Sequence, residues 1–230
     1  MVPSLSTRRG LRAATRLLVP ALCVLGATAP TLHAEAVSRY RGFALGSAVA
    51  DVLTLTRARP ADVKTIHDRP ALIQQLEWHT PYASSGEAVD PVKTITFGFV
   101  DGRLYQMTVD YDRVRVGGLT TPDLIAGVEA VYGAAAATTR PQLPIGSAAG
   151  TTVLGHWADP DATMTLVRGP YEDLRLVVRS IALGADAQRG TAAAISQDAT
   201  EAPARRAAAR TAEAAALQDE RAKNKSAFKP

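Results

Sequence analysis

The 230-residue sequence holds a single cysteine, Cys23, and that residue lies in a leader that export would remove. Without it the chain can form neither a disulfide nor a thiolate site. Net charge is missing too. Lysine and arginine outnumber aspartate and glutamate by 26 to 22, but Arg8, Arg9, Arg12 and Arg16 fall in the first 34 residues, which hold no acid, so the remainder balances at 22 against 22. A chain balanced in this way is not expected to bind nucleic acid. After the leader there is no glycine-rich phosphate loop, no nucleophile elbow and no metal-spaced histidine pair.

The leader has the build of a secretory signal: the four arginines, an apolar stretch from Leu17 to Ala29 interrupted by Pro20, and small residues at Ala34 and Ala36. The mature chain would begin near Glu35 or Val37. Pro20 and Pro30 leave fewer apolar residues between them than the roughly 20 a spanning helix needs, so no stable transmembrane span is expected after cleavage. Leu22 stands where a lipidated cysteine is ordinarily preceded by a small residue. Thr7, Arg8, Arg9 and Leu11 partly match a twin-arginine signal, the alternative export route. The expected location is periplasmic or secreted.

The remaining 196 or so residues divide by composition. A packed domain is expected over 37–183, in two similar halves of about 40–113 and 119–183. Residues 186–230 form an Ala-rich, charged helical or disordered tail whose only bulky apolar residues are Ile195, Leu217 and Phe228. Its composition favours helix, most of all from Ala204 to Lys223. Lacking an apolar stripe, that helix is expected to be solvated, frayed or held by a partner.

In the first half, Ser47 is read as the cap of a helix through about Arg57, with Asp51 in the first turn and Pro60 as the stop. Ala71 to Thr80 reads as a strand with Leu72, Leu76 and Trp78 in the core. In Val92 to Arg113, two strand-like runs flank Asp101 and Gly102. A two-residue turn would pair Phe99 with Leu104 and Phe97 with Gln106, setting apolar beside polar residues on both faces. A three-residue loop with Gly102 left-handed, pairing Phe97 with Tyr105 and Ile95 with Met107, separates them. Ile95, Phe97, Phe99, Tyr105, Met107, Val109 and Tyr111 would then face the core, leaving a wet face on the other side. The second half repeats the plan. Thr121 caps a helix with Pro122 at its first position and Gly133 at its end. Strands follow at Thr151 to Ala158, Ala162 to Arg168 and Asp173 to Ile181, with Val153, Trp157, Met164, Leu166, Leu174, Leu176 and Val178 as core residues. The fold class is α+β: two α-β-β-β units forming an antiparallel sheet with helices on one face, plus an Ala-rich C-terminal helix or tail.

Phe43, Leu45, Gly46 and Ser47, followed by Asp51, Val52 and Leu55, resemble the segment leading into the helix of small bacterial outer-membrane assembly lipoproteins. The doubled arrangement, over about Tyr40 to Ile181, resembles the secreted β-lactamase-inhibitor proteins, which build one concave sheet from two such units. The chain departs from the lipoproteins in lacking a lipidation box and in carrying Arg57-Ala58-Arg59-Pro60 where Gly-x-Pro commonly closes their helix. The resemblance implies a scaffold that acts by protein contact.

Chemistry-bearing residues are few. His67, His79 and His156 are scattered, but His79 beside Trp78 and His156 beside Trp157 would meet if the two first strands were neighbours. Asp110 and Asp112, two apart on the wet face, have the spacing of a cation site or an acid/base pair. Ser84-Ser85-Gly86 is a loop without a partner for a nucleophile. The leading expectation is a non-catalytic protein- or ligand-binding module of the bacterial envelope, meeting an envelope or secreted protein through Thr96, Gly98, Gln106, Thr108, Asp110 and Asp112. Gly98 would let another chain approach closely. The alternatives are a metal-dependent hydrolase using His79, His156, Asp110 and Asp112, and a structural component tethered by the tail. No cofactor is implied.

Overall fold

The computed structural model describes residues 34–80, 90–136, 143–144 and 147–228. The expected export signal, apart from Ala34, and the Ser84-Ser85-Gly86 loop lie outside them. In chain order the elements are β1 (Arg39–Tyr40), β2 (Phe43–Ala44), α1 (Val49–Thr56), β3 (Lys64–His67), β4 (Ile73–His79), β5 (Val92–Val100), β6 (Arg103–Tyr111), α2 (Thr121–Tyr132), β7 (Thr152–Ala158), β8 (Ala162–Arg168), β9 (Leu174–Ser180) and α3 (Ile181–Ala227). The α+β class and the repeated order of a helix and three strands agree with the sequence; β3 and the small β1–β2 hairpin are additions to it.

Seven strands form one antiparallel sheet in the order β3-β4-β5-β6-β9-β8-β7, so the last strands of the two units meet at its centre. The units are related by a local two-fold. Trp78, Ile95 and Val109 lie side by side across the first unit, and Trp157, Met164 and Val178 across the second. At the junction Val109 faces Leu176 and Met107 faces Val178, so the rotation that exchanges the two rows also exchanges β6 and β9. Both indoles serve the same purpose. Trp78 Nε1 donates to the Thr56 carbonyl at the end of α1 (3.1 Å), and Trp157 Nε1 to the Gly133 carbonyl at the end of α2 (2.9 Å). Each bond satisfies a carbonyl that a helix end leaves without an internal partner.

The β5–β6 hairpin corrects the expected register. Asp101 and Gly102 both have positive φ and make a two-residue turn, with Val100 opposite Arg103 and Phe99 opposite Leu104. The extra residue sits inside β6 instead of in the loop: the register shifts so that Gly98 faces Gln106 and Phe97 faces Met107. A bulge there places Tyr105 and Gln106 together on the far face, which lets Leu104 and Met107 both point inward. Leu104 is fully buried, and Tyr105 packs with Ile73 and Val100 on the opposite side. The separation of apolar and polar faces therefore holds, with Leu104 in the place expected for Tyr105.

The main core joins Leu76, Ile95, Phe97, Phe99, Met107, Val109, Trp157, Met164, Leu166, Leu176 and Val178 to Val52 of α1. Full burial of side chains of this size contributes about 1.5–3 kcal/mol each. Besides Tyr105, two expected core residues lie elsewhere. Val153 pairs with Val167 on the far face because of a bulge before Gly155, and Leu72 precedes β4, where Ile73 is buried instead. Both helix starts fall one residue from their expected caps. Ala48 is the N-cap of α1, and its N–H donates to the Asp51 carboxylate (3.2 Å). Thr120, not Thr121, caps α2: its Oγ1 accepts from Asp123 N (3.3 Å), and Asp123 Oδ2 accepts from Thr120 N (2.8 Å).

Helices α1 and α2 cover the core face; α3 crosses the other. It begins directly after β9, capped by Ser180 Oγ, which accepts from Leu183 N (3.3 Å). Gly184, Ala187, Gly190 and Ala194 are buried along one side of it. This overturns the expectation that the C-terminal helix would find nothing to dock on. The contact uses closeness in place of bulk: a Cβ on Gly190 would lie 2.7 Å from the Ala71 Cβ, beside Ile73. Farther along, Arg69 holds Glu201 in an ion pair at 2.7 Å. From Pro203 to Phe228 every residue is exposed.

Candidate functional site

Three rows of side chains run across the far face of the sheet. Nearest α3 lie Gln75, Gly98, Gln106, Arg179, Thr163 and Ala158; next come Glu77, Thr96, Thr108, Val177, Thr165 and His156; then His79, Thr94, Asp110, Arg175, Val167 and Val153. The strand period puts all of them on one side. Helix α3 packs over the end that holds Ile73, Val100 and Tyr105, leaving an open part where Glu77, His79, Thr96, Thr108, Asp110, Arg175 and His156 keep accessible surface, whereas Thr94, Thr165, Val167 and Val177 in the same rows are buried.

Of the residues expected to form a binding face, Thr96, Thr108 and Asp110 lie on this open part. The other three are placed differently. The space above Gly98 is filled by the chain's own Tyr105, whose ring carbon a Cβ there would meet at 2.9 Å, so Gly98 admits Tyr105 and not a second chain. Gln106 donates to Thr108 Oγ1 (3.1 Å) and lines a recess against α3. Asp112 lies beyond β6, where its carboxylate accepts from the backbone N–H groups of Val114 (2.9 Å) and Arg115 (3.2 Å) and fixes the turn that follows the strand.

The two aspartates therefore do not form an acid/base pair. Asp110 Oδ1 instead accepts from Arg175 Nε at 2.7 Å, its cross-strand neighbour at the junction of the units. Around this pair lies a polar recess of about 590 Å³ that includes Lys93, Thr94 and Thr96.

The histidine arrangement also fails to form. His79 is on β4 and His156 on β7, five strand spacings apart in the sheet order, or about 24 Å. Metal ligation needs bonds near ~2 Å, so the metal-dependent hydrolase built on His79, His156, Asp110 and Asp112 is excluded by topology. Each ring has a threonine partner on the next strand: His79 Nδ1 lies 3.2 Å from Thr94 Oγ1 and His156 Nδ1 3.0 Å from Thr165 Oγ1. Burial holds the His156 imidazole below its usual pKa, favouring the neutral ring. Among the described residues no group of three or more His, Cys, Asp or Glu side chains gathers as a metal centre would require. Among them, too, no helix is long and apolar enough to cross a membrane.

Arg175, Val177 and Thr165 belong to the second and third rows without having been singled out from the sequence, and of the three only Arg175 keeps accessible surface. Alternation with Leu174, Leu176 and Val178 was the signal that could have placed Arg175 and Val177 there. That Arg175 meets Asp110 depends on β6 pairing with β9, which no local pattern encodes. Compared with protein-family profiles, with curated proteins and with solved structures, the chain matches none of them.

Proposed function

We propose that this is an exported, non-catalytic module of the bacterial envelope that binds another protein through the open part of its far sheet face. The observation that carries the reading is the row through Thr96 and Thr108 at the middle of the sheet, partly exposed side chains that α3 leaves uncovered, with Val177 and Thr165 of the same row buried. Strand pairing already holds these side chains in place, so a partner meets them without a large ordering cost. The recess beside it is polar, whereas a small-molecule site is concave and largely apolar, so this face suits a protein surface better. Glu77 at one end, His156 at the other and the Asp110–Arg175 pair alongside supply a polar rim for orientation. The leader's secretory pattern and the doubled-unit resemblance support the location and the mode of action.

The test is capture from envelope extract, followed by reconstitution with the purified partner. Wild type should form a stoichiometric complex with one identified protein, and Thr108→Arg and Thr96→Arg should abolish it while far-UV circular dichroism stays unchanged. A complex that forms equally well with both arginine variants would remove this face from the account.

A further inference from the structure

The bulge in β6 turns Tyr105 and Gln106 to the same side of the sheet, where α3 crosses. Between sheet and helix lies a recess of about 530 Å³, lined by Tyr105, Gln106 and Arg179 below and by Gln188, Thr191 and Ile195 of α3 above. Arg179 is the only charged residue in its lining. The recess adjoins the row that meets the partner, because Gln106 donates to Thr108 Oγ1 at 3.1 Å.

Arg179 has no acid beside it. In the strand register it stands between Gln106 of β6 and Thr163 of β8. Its Nη2 donates to the Gly184 carbonyl at 2.7 Å, and among the described residues it makes no other hydrogen bond and no ion pair. A guanidinium carries five N–H donors, so most of these are left without a protein acceptor. The acids around it are already engaged. Along the docked part of α3, Asp186 pairs with Arg189, Asp198 with Arg205, and Glu201 with Arg69 and Arg205; on the sheet, Asp110 pairs with Arg175. Partial burial lowers the Arg179 pKa, opposed only by the nearby Tyr105, as expected of a cation without a counter-charge.

We propose that the partner protein inserts an aspartate or glutamate side chain into this recess, its carboxylate on Arg179 and its methylene stem against Tyr105 and Ile195. The inference rests on the reading of the far face as the partner surface. A carboxylate supplies the charge that the recess lacks and accepts from N–H groups that have no acceptor in the free protein. Gln106, Gln188 and Thr191 add neutral donors, and no acid in the lining repels the incoming group.

The partner purified for the reconstitution described above is the probe. In titration calorimetry, Arg179→Gln should bind it at least tenfold more weakly than wild type, the loss of one charge-assisted hydrogen bond. Arg179→Lys keeps the charge and adds an amine. Treated with a carbodiimide, its complex should gain a zero-length amide link from that amine to a partner aspartate or glutamate, located by peptide mass spectrometry. Amide exchange over residues 184–201 should match wild type in both variants; if Arg179→Gln loosens α3, the cross-link decides. Wild-type affinity of Arg179→Gln, or no partner carboxylate joined at position 179, would overturn this proposal and leave the far-face reading standing, provided Thr108→Arg still abolishes the complex. A wild-type chain that forms no complex, or one that tolerates both arginine variants of the threonine row, would overturn the two together.

Discussion

Helix α2 carries leucine, isoleucine and valine and buries none of its residues; the first half of α3 carries glycine and alanine and buries four. Both helices lie against the same sheet, on opposite faces. The difference shows that burial here follows the distance of approach and not side-chain hydrophobicity. At Gly184 and Gly190 the missing Cβ lets the α3 backbone settle onto Arg179, Ala71 and Ile73, with Arg179 Nη2 donating to the Gly184 carbonyl at 2.7 Å. The larger residues of α2 touch the core only with part of their surface.

This contrast can be broken at several points. Leu76→Ala, in the fully buried core under α1, sets the upper end of the scale and should cost about 2–5 kcal/mol in urea titrations. Gly190→Leu forces a side chain into the α3 contact. It should cost about 1–3 kcal/mol and open the Arg189 peptide bond to trypsin. An unchanged midpoint would mean that α3 is not seated. Leu124→Ala removes a side chain that α2 buries only in part and should cost about 1 kcal/mol, well below Leu76→Ala despite identical chemistry.

The smallest effect at neutral pH is expected for Tyr132→Phe. Burial, with Glu35 nearby, pushes the Tyr132 hydroxyl up to about 12 from the ordinary 10.0. Above pH 10 the unfolded chain gives up this proton while the folded one keeps it, so stability is full below pH 10 and falls as pH rises toward 12. Wild type should therefore lose stability over that window faster than Tyr132→Phe, as followed by denaturant midpoints at stepped pH. Parallel curves would show that the phenol is not shielded from solvent.

What was legible in the sequence was local. The three strands after α2 lie within a residue of their expected bounds because Pro160 and Gly169-Pro170 punctuate clear alternation. The doubling was visible in outline, and the matched indole bonds of Trp78 and Trp157 give it a physical basis. The bulge at Tyr105 was not placed, because a search for the cleanest alternation treats Leu104 and Tyr105 as interchangeable. The docking of α3 was missed because its stripe is written in glycine and alanine, which hydropathy does not register. The surface itself was only half legible: Thr96 and Thr108 follow from strand parity, but their neighbours across the sheet come from the β6–β9 pairing, a contact between distant parts of the chain.

The central claim is that α3 seals one end of the far face while α2 rests on the core face with only part of its surface. Amide hydrogen exchange on the intact protein tests this directly. Amides of residues 184–201 should exchange on the slow timescale of β5, β6, β8 and β9, with residues 121–132 exchanging faster and residues 203–228 fastest. Slow exchange throughout α2 together with rapid exchange across 184–201 would contradict it.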